Sequence, residues 1–352
     1  MTPPEHNPED VAIDAWTRVL SRAPDQINAP RESDAELVPL PGDANACLAI
    51  TIDTVAEEIR AGLYQDPYTM GWVTIMASLS DLAAVGAEPV GVVISASNPG
   101  DFERSFEARA ALGMEEACRS LGTHVLGGDT NATPEISLTA CAIGTVPRRE
   151  ALTRRGIGRG DAVYLTGRAG AGNAFAMARI LGLSVEDFPE ERYRPAARIA
   201  AGVALRGRAT ACMDTSDGVL ATLDQLMRLN ARGFEIDGDW PRFLCEDAAE
   251  VCKRSGRPEW MMLWGPHGEY ELVFTIPADR VEAFEEEAPS LGLEPVRFGT
   301  VQERPALTAE LPSGMKIDVD MRPVVDLTTA KETDLRLIID KYEEIGRSQG
   351  LE

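Results

Sequence analysis

Three times an apolar run of this chain ends in aspartate and threonine: Ile50-Thr51-Ile52-Asp53-Thr54, Val125-Leu126-Gly127-Gly128-Asp129-Thr130 and Cys212-Met213-Asp214-Thr215. Strands of one sheet deliver their C-terminal ends to a common rim where α/β proteins bind ligands, so the three carboxylates can converge on cations. Magnesium takes hard oxygen ligands, one or two carboxylates per ion, with phosphate oxygens and water completing the shell. Taken singly, each aspartate equally suits a turn or a helix cap.

Asp81 interrupts the run Met76 to Val85, which holds little else that is polar. A carboxylate in such a helix is costly to bury unless a cation or hydrogen bonds compensate it, so it ligates a metal, forms a salt bridge or caps a neighbouring element. In Asp214-Thr215-Ser216-Asp217-Gly218, two carboxylates and a hydroxyl precede a helix rich in Val219, Leu220, Leu223 and Leu226. A helix start suits a phosphate and the aspartates suit its magnesium, although a doubly acidic N-cap has the same pattern. The run Gly167 to Gly172 imitates a dinucleotide fingerprint, but Phe175 stands where the third glycine is needed. Neither a phosphate-binding P-loop nor a protein-kinase signature set is present. Histidines occur only at 6, 124 and 267, too few for a multi-histidine centre, and His124 reads as a core residue. The six cysteines lie far apart without a C-x-x-C pair and read as small core residues.

The elements that must position these groups follow from periodicity. A helix is expected over 8–23 with Ile13, Trp16, Val19 and Leu20 on one face, followed by a linker to residue 41. Short strands then alternate with helices: strand 47–53, helix 70–85, strand 89–95, helix 101–121, strands 123–126 and 136–146. The Arg- and Gly-rich stretch 147–160 marks a domain boundary. Beyond it come strand 161–166, helices 173–183 and 195–205, strand 211–213, helix 219–230, strand 270–276, a small meander near Pro312-Ser313-Gly314 and a charged helix over 331–345. The divisions are thus an N-terminal segment 1–41, domains 42–150 and 151–330, and a terminal helix 331–352.

With 352 residues, 44% of them apolar, the chain has ample material for two folded domains. Its 57 acidic and 34 basic residues give a formal charge of −23, which makes nucleic acid and anionic membrane poor partners. A polyphosphate remains accessible through divalent cations. The first ten residues have no basic start or apolar core of a leader, and no run approaches a membrane span, so the expected location is cytoplasmic.

The stretches Thr51–Thr54, Ser78–Pro89, Gly127–Thr130, Ala151–Asp161, Asp214–Gly218 and Gly268–Thr275, in this order, resemble the aminoimidazole-ribonucleotide synthetase (PurM-like) superfamily, and within it the thiamine-monophosphate kinases. The resemblance implies a two-domain α+β fold, a homodimer joined through N-terminal-domain strands, and ATP with magnesium held between the domains. It assigns metal binding to Asp53, Asp81, Asp129, Asp214 and Asp217 with Thr51 beside them, and ATP contacts to Gly128, Asp129, Thr130, Arg154 and Ser216. Asp217 and the cationic clamp Arg154 take the catalytic roles in direct transfer of the γ-phosphoryl group to a small phosphorylated acceptor.

Departures from the pattern fall mainly on the acceptor side. Gly42-Asp43-Ala44 stands for the family's Gly-Asp-Asp, keeping Asp43 as a metal ligand and losing the second carboxylate. Arg60 replaces a substrate-side histidine, Glu269 is the lone acidic residue before Tyr270, and residues 330–352 lack the Gly-aromatic-x-His-Phe segment. Two alternatives stand beside the kinase: another ATP-dependent activating enzyme of the superfamily, for amide or formyl oxygens or of the hydrogenase-maturation type, and a catalytically reduced nucleotide-binding regulator.

Overall fold

The computed structural model describes residues 13, 15–99, 104–184, 186–265, 267–323 and 335–351. The first half runs β1 (Glu36–Leu40), β2 (Asp43–Thr54), α1 (Ala56–Arg60), α2 (Pro67–Ala84), β3 (Glu88–Asn98), α3 (Arg104–Ser120), β4 (Val125–Ala132) and β5 (Ser137–Pro147). Its sheet has the order β1-β2-β5-β3-β4, antiparallel except for the parallel pair β3/β4. The second half runs β6 (Ala162–Leu165), α4 (Ala171–Leu181), α5 (Ile199–Leu205), β7 (Ala211–Asp214), α6 (Val219–Asn230), β8 (Gly233–Asp237), α7 (Glu246–Ser255) and α8 (Met261–Trp264). It continues with β9 (Leu272–Ile276), α9 (Val281–Glu287), β10 (Val296–Gln302), β11 (Leu307–Glu310), β12 (Lys316–Val319) and α10 (Leu335–Ser348). These strands form a seven-stranded sheet, β12-β11-β8-β10-β6-β9-β7. The result is the expected α+β architecture with one sheet per half.

Helix α2 joins the halves. Asp66 caps it by accepting from the Tyr68 amide at 3.1 Å, Pro67 occupies the first turn, and the chain turns away at Gly86 with φ +70°. It has no polar face, because β2 and β5 cover one side while α5 and β7 cover the other. One apolar core therefore runs from Leu37 and Ala49 through Leu79 and Leu82 to Tyr164, Cys212 and Phe274. A second core fills the opposite face of the larger sheet. Strand β6 shows the division directly: Ala162 and Tyr164 face the first core, Val163 and Leu165 the second.

Several sequence expectations change. Strand β1 lies within the segment read as a linker, because Leu37 and Ala35 pack into the first core. Strand β4 continues through Gly127-Gly128-Asp129-Thr130, so Asp129 lies within a strand and not at its end. Among the described residues near the N-terminus, Ile13 and Ala15–Thr17 are helical and the chain turns at Arg18, and Trp16, Val19 and Leu20 are exposed instead of forming a buried face. Residues 8–12 of that expected helix, and the starts of the helices expected from 101 and 331, lie outside the described residues. His124 is exposed, not in the core, and Cys141 and Cys245 are half-buried while the other four cysteines are buried. Among the described residues no helix is long and apolar enough to cross a membrane.

Candidate active site

Strand β1 runs antiparallel to β2 with Glu36 opposite Ile50, so the residues just before β1 lie beside the end of β2. Asp34 enters the site there. Asp81 reaches it from the middle of α2, and Asp214 from the end of β7, which packs on that helix. One carboxylate oxygen from each of Asp34, Asp81 and Asp214 lies within 4.8 Å of the others. Thr51 Oγ1 donates to Asp81 Oδ2 at 2.5 Å, and Ser216 Oγ donates to Asp214 Oδ1 at 2.8 Å. Asp214 is 1% exposed, yet its Oδ2 has no hydrogen-bond partner.

Burial, followed by the charges of Asp214, Asp34 and Asp53, pushes the Asp81 carboxyl well above the usual range. Burial and then Asp34 lift Asp214 to about 7. A second group adjoins the first. Burial lifts Asp53 to about 6 against an opposing bond from the Thr54 amide, with the charge of Asp217 adding to the rise. Glu58 in α1 is raised to about 7 by burial with help from Asp53, Glu57 and Asp217, and its Oε2 is buried without a partner. Carboxylates crowded together against their own desolvation, with an orphaned buried oxygen, are what a divalent cation relieves. The donor set, all carboxylate and hydroxyl oxygen, fits magnesium.

Arg154 brings positive charge to this cluster. Its Nη2 and Nε donate to Asp34 at 2.9 and 3.3 Å, and its Nη1 to Gln225 at 3.4 Å. Gln225 also donates to Asp217 at 3.3 Å. The guanidinium is thus already anchored at the acidic centre.

Other sequence candidates lie elsewhere. Asp43 sits at the β1/β2 turn, exposed and bonded to the Asn45 amide, ten residues of strand and roughly 33 Å from Asp53. It cannot share that site within one chain. The carboxylate that does is Asp34, in Ser33-Asp34-Ala35, which sequence reading passed over for the more glycine-like match at Gly42. Asp53, Ala140, Ile94 and Gly128 are paired in line across the sheet, which puts Gly128 three strand spacings, roughly 14 Å, from Asp53. Asp129 and Thr130 follow it on exposed β4, and Asp129 Oδ2 accepts from Asn131 at 2.8 Å. The structure therefore does not bring Asp129 into the acidic cluster. Arg60 is exposed and paired with Glu135 at 3.0 Å. Glu269 is buried beside α4, its Oε2 accepting from the Gly170 amide at 2.8 Å. Glu58 was also missed, since Glu57-Glu58 at a helix start reads as surface charge.

Residues 32–146 match the model of the AIR synthase related protein N-terminal domain, and residues 158–312 match that of its C-terminal domain. The chain belongs to the AIR synthase related family. Within this family it is 34% identical to the thiamine-monophosphate kinase of Halobacterium salinarum over 236 residues, covering 67% of this chain and 78% of the relative. It is 32% identical to the Escherichia coli thiamine-monophosphate kinase over 241 residues, 65% of this chain and 71% of that one. Among solved structures, tt0281 from Thermus thermophilus aligns with a TM-score of 0.73 at 27% identity, covering 86% of this chain and 96% of that one. AaThiL complexed with AMPPCP and TMP shares the fold, with a TM-score of 0.71 at 23% identity over 88% and 94% of the two chains.

Proposed function

We propose that this AIR synthase related protein is an ATP-dependent phosphotransferase of the thiamine-monophosphate kinase kind, passing the γ-phosphoryl group of ATP to the phosphate of a small acceptor, thiamine monophosphate first. The observation that carries the reading is the cluster Asp34, Asp81 and Asp214, in which buried Asp214 keeps an oxygen without a hydrogen-bond partner. The similarity to thiamine-monophosphate kinases supports the reaction class.

Asp34, Asp81 and Asp214 hold magnesium, with Thr51 fixing Asp81 and with Asp53 and Asp217 beside them. Magnesium supplies the positive charge that lets phosphate oxygens approach so many carboxylates. Arg154, held by Asp34 and Gln225, adds a fixed guanidinium for the charge that builds on the transferred group. Gly128, Asp129 and Thr130 lie a nucleotide's length from the cluster and take the far part of ATP, while Ser216 presents its hydroxyl at the start of α6. Arg60 and Glu269 are assigned to the acceptor side by family position. The assembly is a cytoplasmic homodimer joined through the outer face of the five-stranded sheet, where Ile52, Val90 and Val93 are 69%, 50% and 38% exposed.

Incubation of the purified chain with magnesium, ATP and thiamine monophosphate yields thiamine diphosphate and ADP. If no ADP forms with this or other phosphorylated metabolites while Mg·ATP still binds, the protein is a nucleotide-binding regulator instead.

A further inference from the structure

Tyr270 has left-handed backbone, with φ +64°. Among the described residues other than glycine only Arg31 and Ala231 share that conformation, and Ala231 simply ends α6. A bulky aromatic residue adopts it only where the surrounding structure holds it there, and such strain gathers at ligand sites. Here both flanks are fastened to the Asp214–Asp217 loop. The Gly268 amide donates to the Ser216 carbonyl at 3.0 Å, and the Thr215 amide to the Glu271 carbonyl at 2.8 Å. Gly268 itself is pressed against that loop, since a Cβ on it would stand 1.7 Å from the Thr215 carbonyl oxygen.

The register of β7 and β9 sets the direction of the ring. Leu272 pairs with Asp214 across this antiparallel ladder, so Tyr270 comes opposite Ser216 when the ladder is carried two residues further. Cys212, Leu272 and Phe274 face the first core, whereas Met213 and Val273 face the second. Tyr270 packs into the first core, on the side of the sheet to which Asp214 belongs. Its neighbours turn the other way, Glu269 accepting from the Gly170 amide at 2.8 Å and Glu271 from Arg198 Nε at 2.9 Å. Tyr270 is 8% exposed, and its hydroxyl makes no hydrogen bond among the described residues. Burial, then Tyr193 and the charges of Asp53, Glu58 and Asp214, hold the phenol well above its ordinary range, so it keeps its proton. It is thus a donor beside the acidic cluster from which no carboxylate accepts, and a donor left unpaired there costs free energy that an incoming oxygen recovers.

Resting on the phosphotransferase reading, we infer that the Tyr270 hydroxyl donates a hydrogen bond to an oxygen of the γ-phosphoryl group of ATP bound at the acidic cluster. Tyr270 stands between the cluster and the side of Glu269, which the same reading gives to the acceptor, and the phosphate at that boundary is the one that changes hands. A neutral donor suits this place. A further guanidinium would pair with the carboxylates that hold magnesium, whereas a phenol adds a hydrogen bond to the transferred group and leaves those carboxylates to the ion. The strained backbone is what lets Glu269 and Glu271 serve one side while the residue between them serves the other.

The test is calorimetry of the full chain with Mg·ATP and with Mg·ADP, without an acceptor, on wild type and on Tyr270→Phe, which removes the hydroxyl and keeps the ring. Tyr270→Phe binds Mg·ATP about tenfold more weakly than wild type, binds Mg·ADP as wild type does, and melts at the same temperature. A ring that only packs would leave both affinities unchanged, and a disturbed loop would weaken both nucleotides alike. Either of those results overturns the assignment of the hydroxyl while leaving the phosphotransferase reading in place. A wild type that binds neither nucleotide overturns that reading and this assignment together.

Discussion

At the scale of the residue, the carboxylates of the candidate site are held against their own electrostatics. Asp214 is fully buried beside Asp34 and Asp81, and its lift to about 7 means that ionising it at neutral pH works against folding. Asp214→Asn should therefore stabilise the metal-free protein, on the order of 2 kcal/mol, while weakening Mg·ATP binding at least tenfold. Thermal melts with and without magnesium check both halves, and a variant that melts lower without metal refutes the assignment. Asp43→Asn should change neither quantity.

His267 offers a pH signature of opposite origin. Burial alone pushes it down to about 4, and its Nε2 lies 3.2 Å from the Tyr64 hydroxyl, so the folded protein holds it neutral. The unfolded chain takes up a proton near pH 6.5 and the folded one does not until about 4, so this group's contribution is complete above 6.5 and lost as pH falls through that window. The loss amounts to about 3 kcal/mol. Protonation of Asp214, Asp53 and Glu58 adds stability over the same range, so denaturant titrations from pH 7 to 4 should show wild type losing stability relative to His267→Gln by about that amount.

At the scale of the element, the join between the halves is a close helix crossing. A Cβ placed on Gly202 of α5 would stand 2.0 Å from the Ala83 carbonyl of α2, so no side chain fits there without parting the helices. Gly202→Ala should cost about 2 kcal/mol or more by denaturant titration, despite alanine's better helix propensity. A neutral result would mean that α2 and α5 do not pack as described.

Which elements the sequence betrays follows from the same packing. Helix α2 and strands β2 and β5 are readable because they are buried or alternate cleanly, and β3 because Val90, Val92, Val93 and Ile94 give it a β-branched run. Strand β4 was cut short at Leu126 because its remainder, Gly127 to Ala132, is exposed and carries glycine and aspartate, residues that ordinarily mark turns. Strand β1 was hidden by the prolines and acidic residues around it, and Asp34 was hidden with it. The carboxylates at the ends of β2 and β7 were legible from the strands that lead into them. Asp34 lies before its strand, and only antiparallel pairing with β2 shows that the start of one strand meets the end of another.

At the scale of the whole molecule, the smaller sheet leaves an apolar face uncovered. Ile52→Lys places a charge on that face without touching the inner one, and should convert a dimer to a monomer in analytical ultracentrifugation. If wild type already sediments as a monomer at micromolar concentration, the dimer assignment is wrong.

The sandwiching of α2 bears finally on time as well as place. Amides of a helix covered on both sides open to solvent only when the layers around it separate, so they belong with the slowest-exchanging protons of the chain. Asp81 is carried on that helix, whereas Asp34 precedes an edge strand and Asp214 leads into a loop. The acidic centre thus joins one residue from the middle of a doubly covered helix to two from strand ends, and the slowest-exchanging amides of the chain flank Asp81.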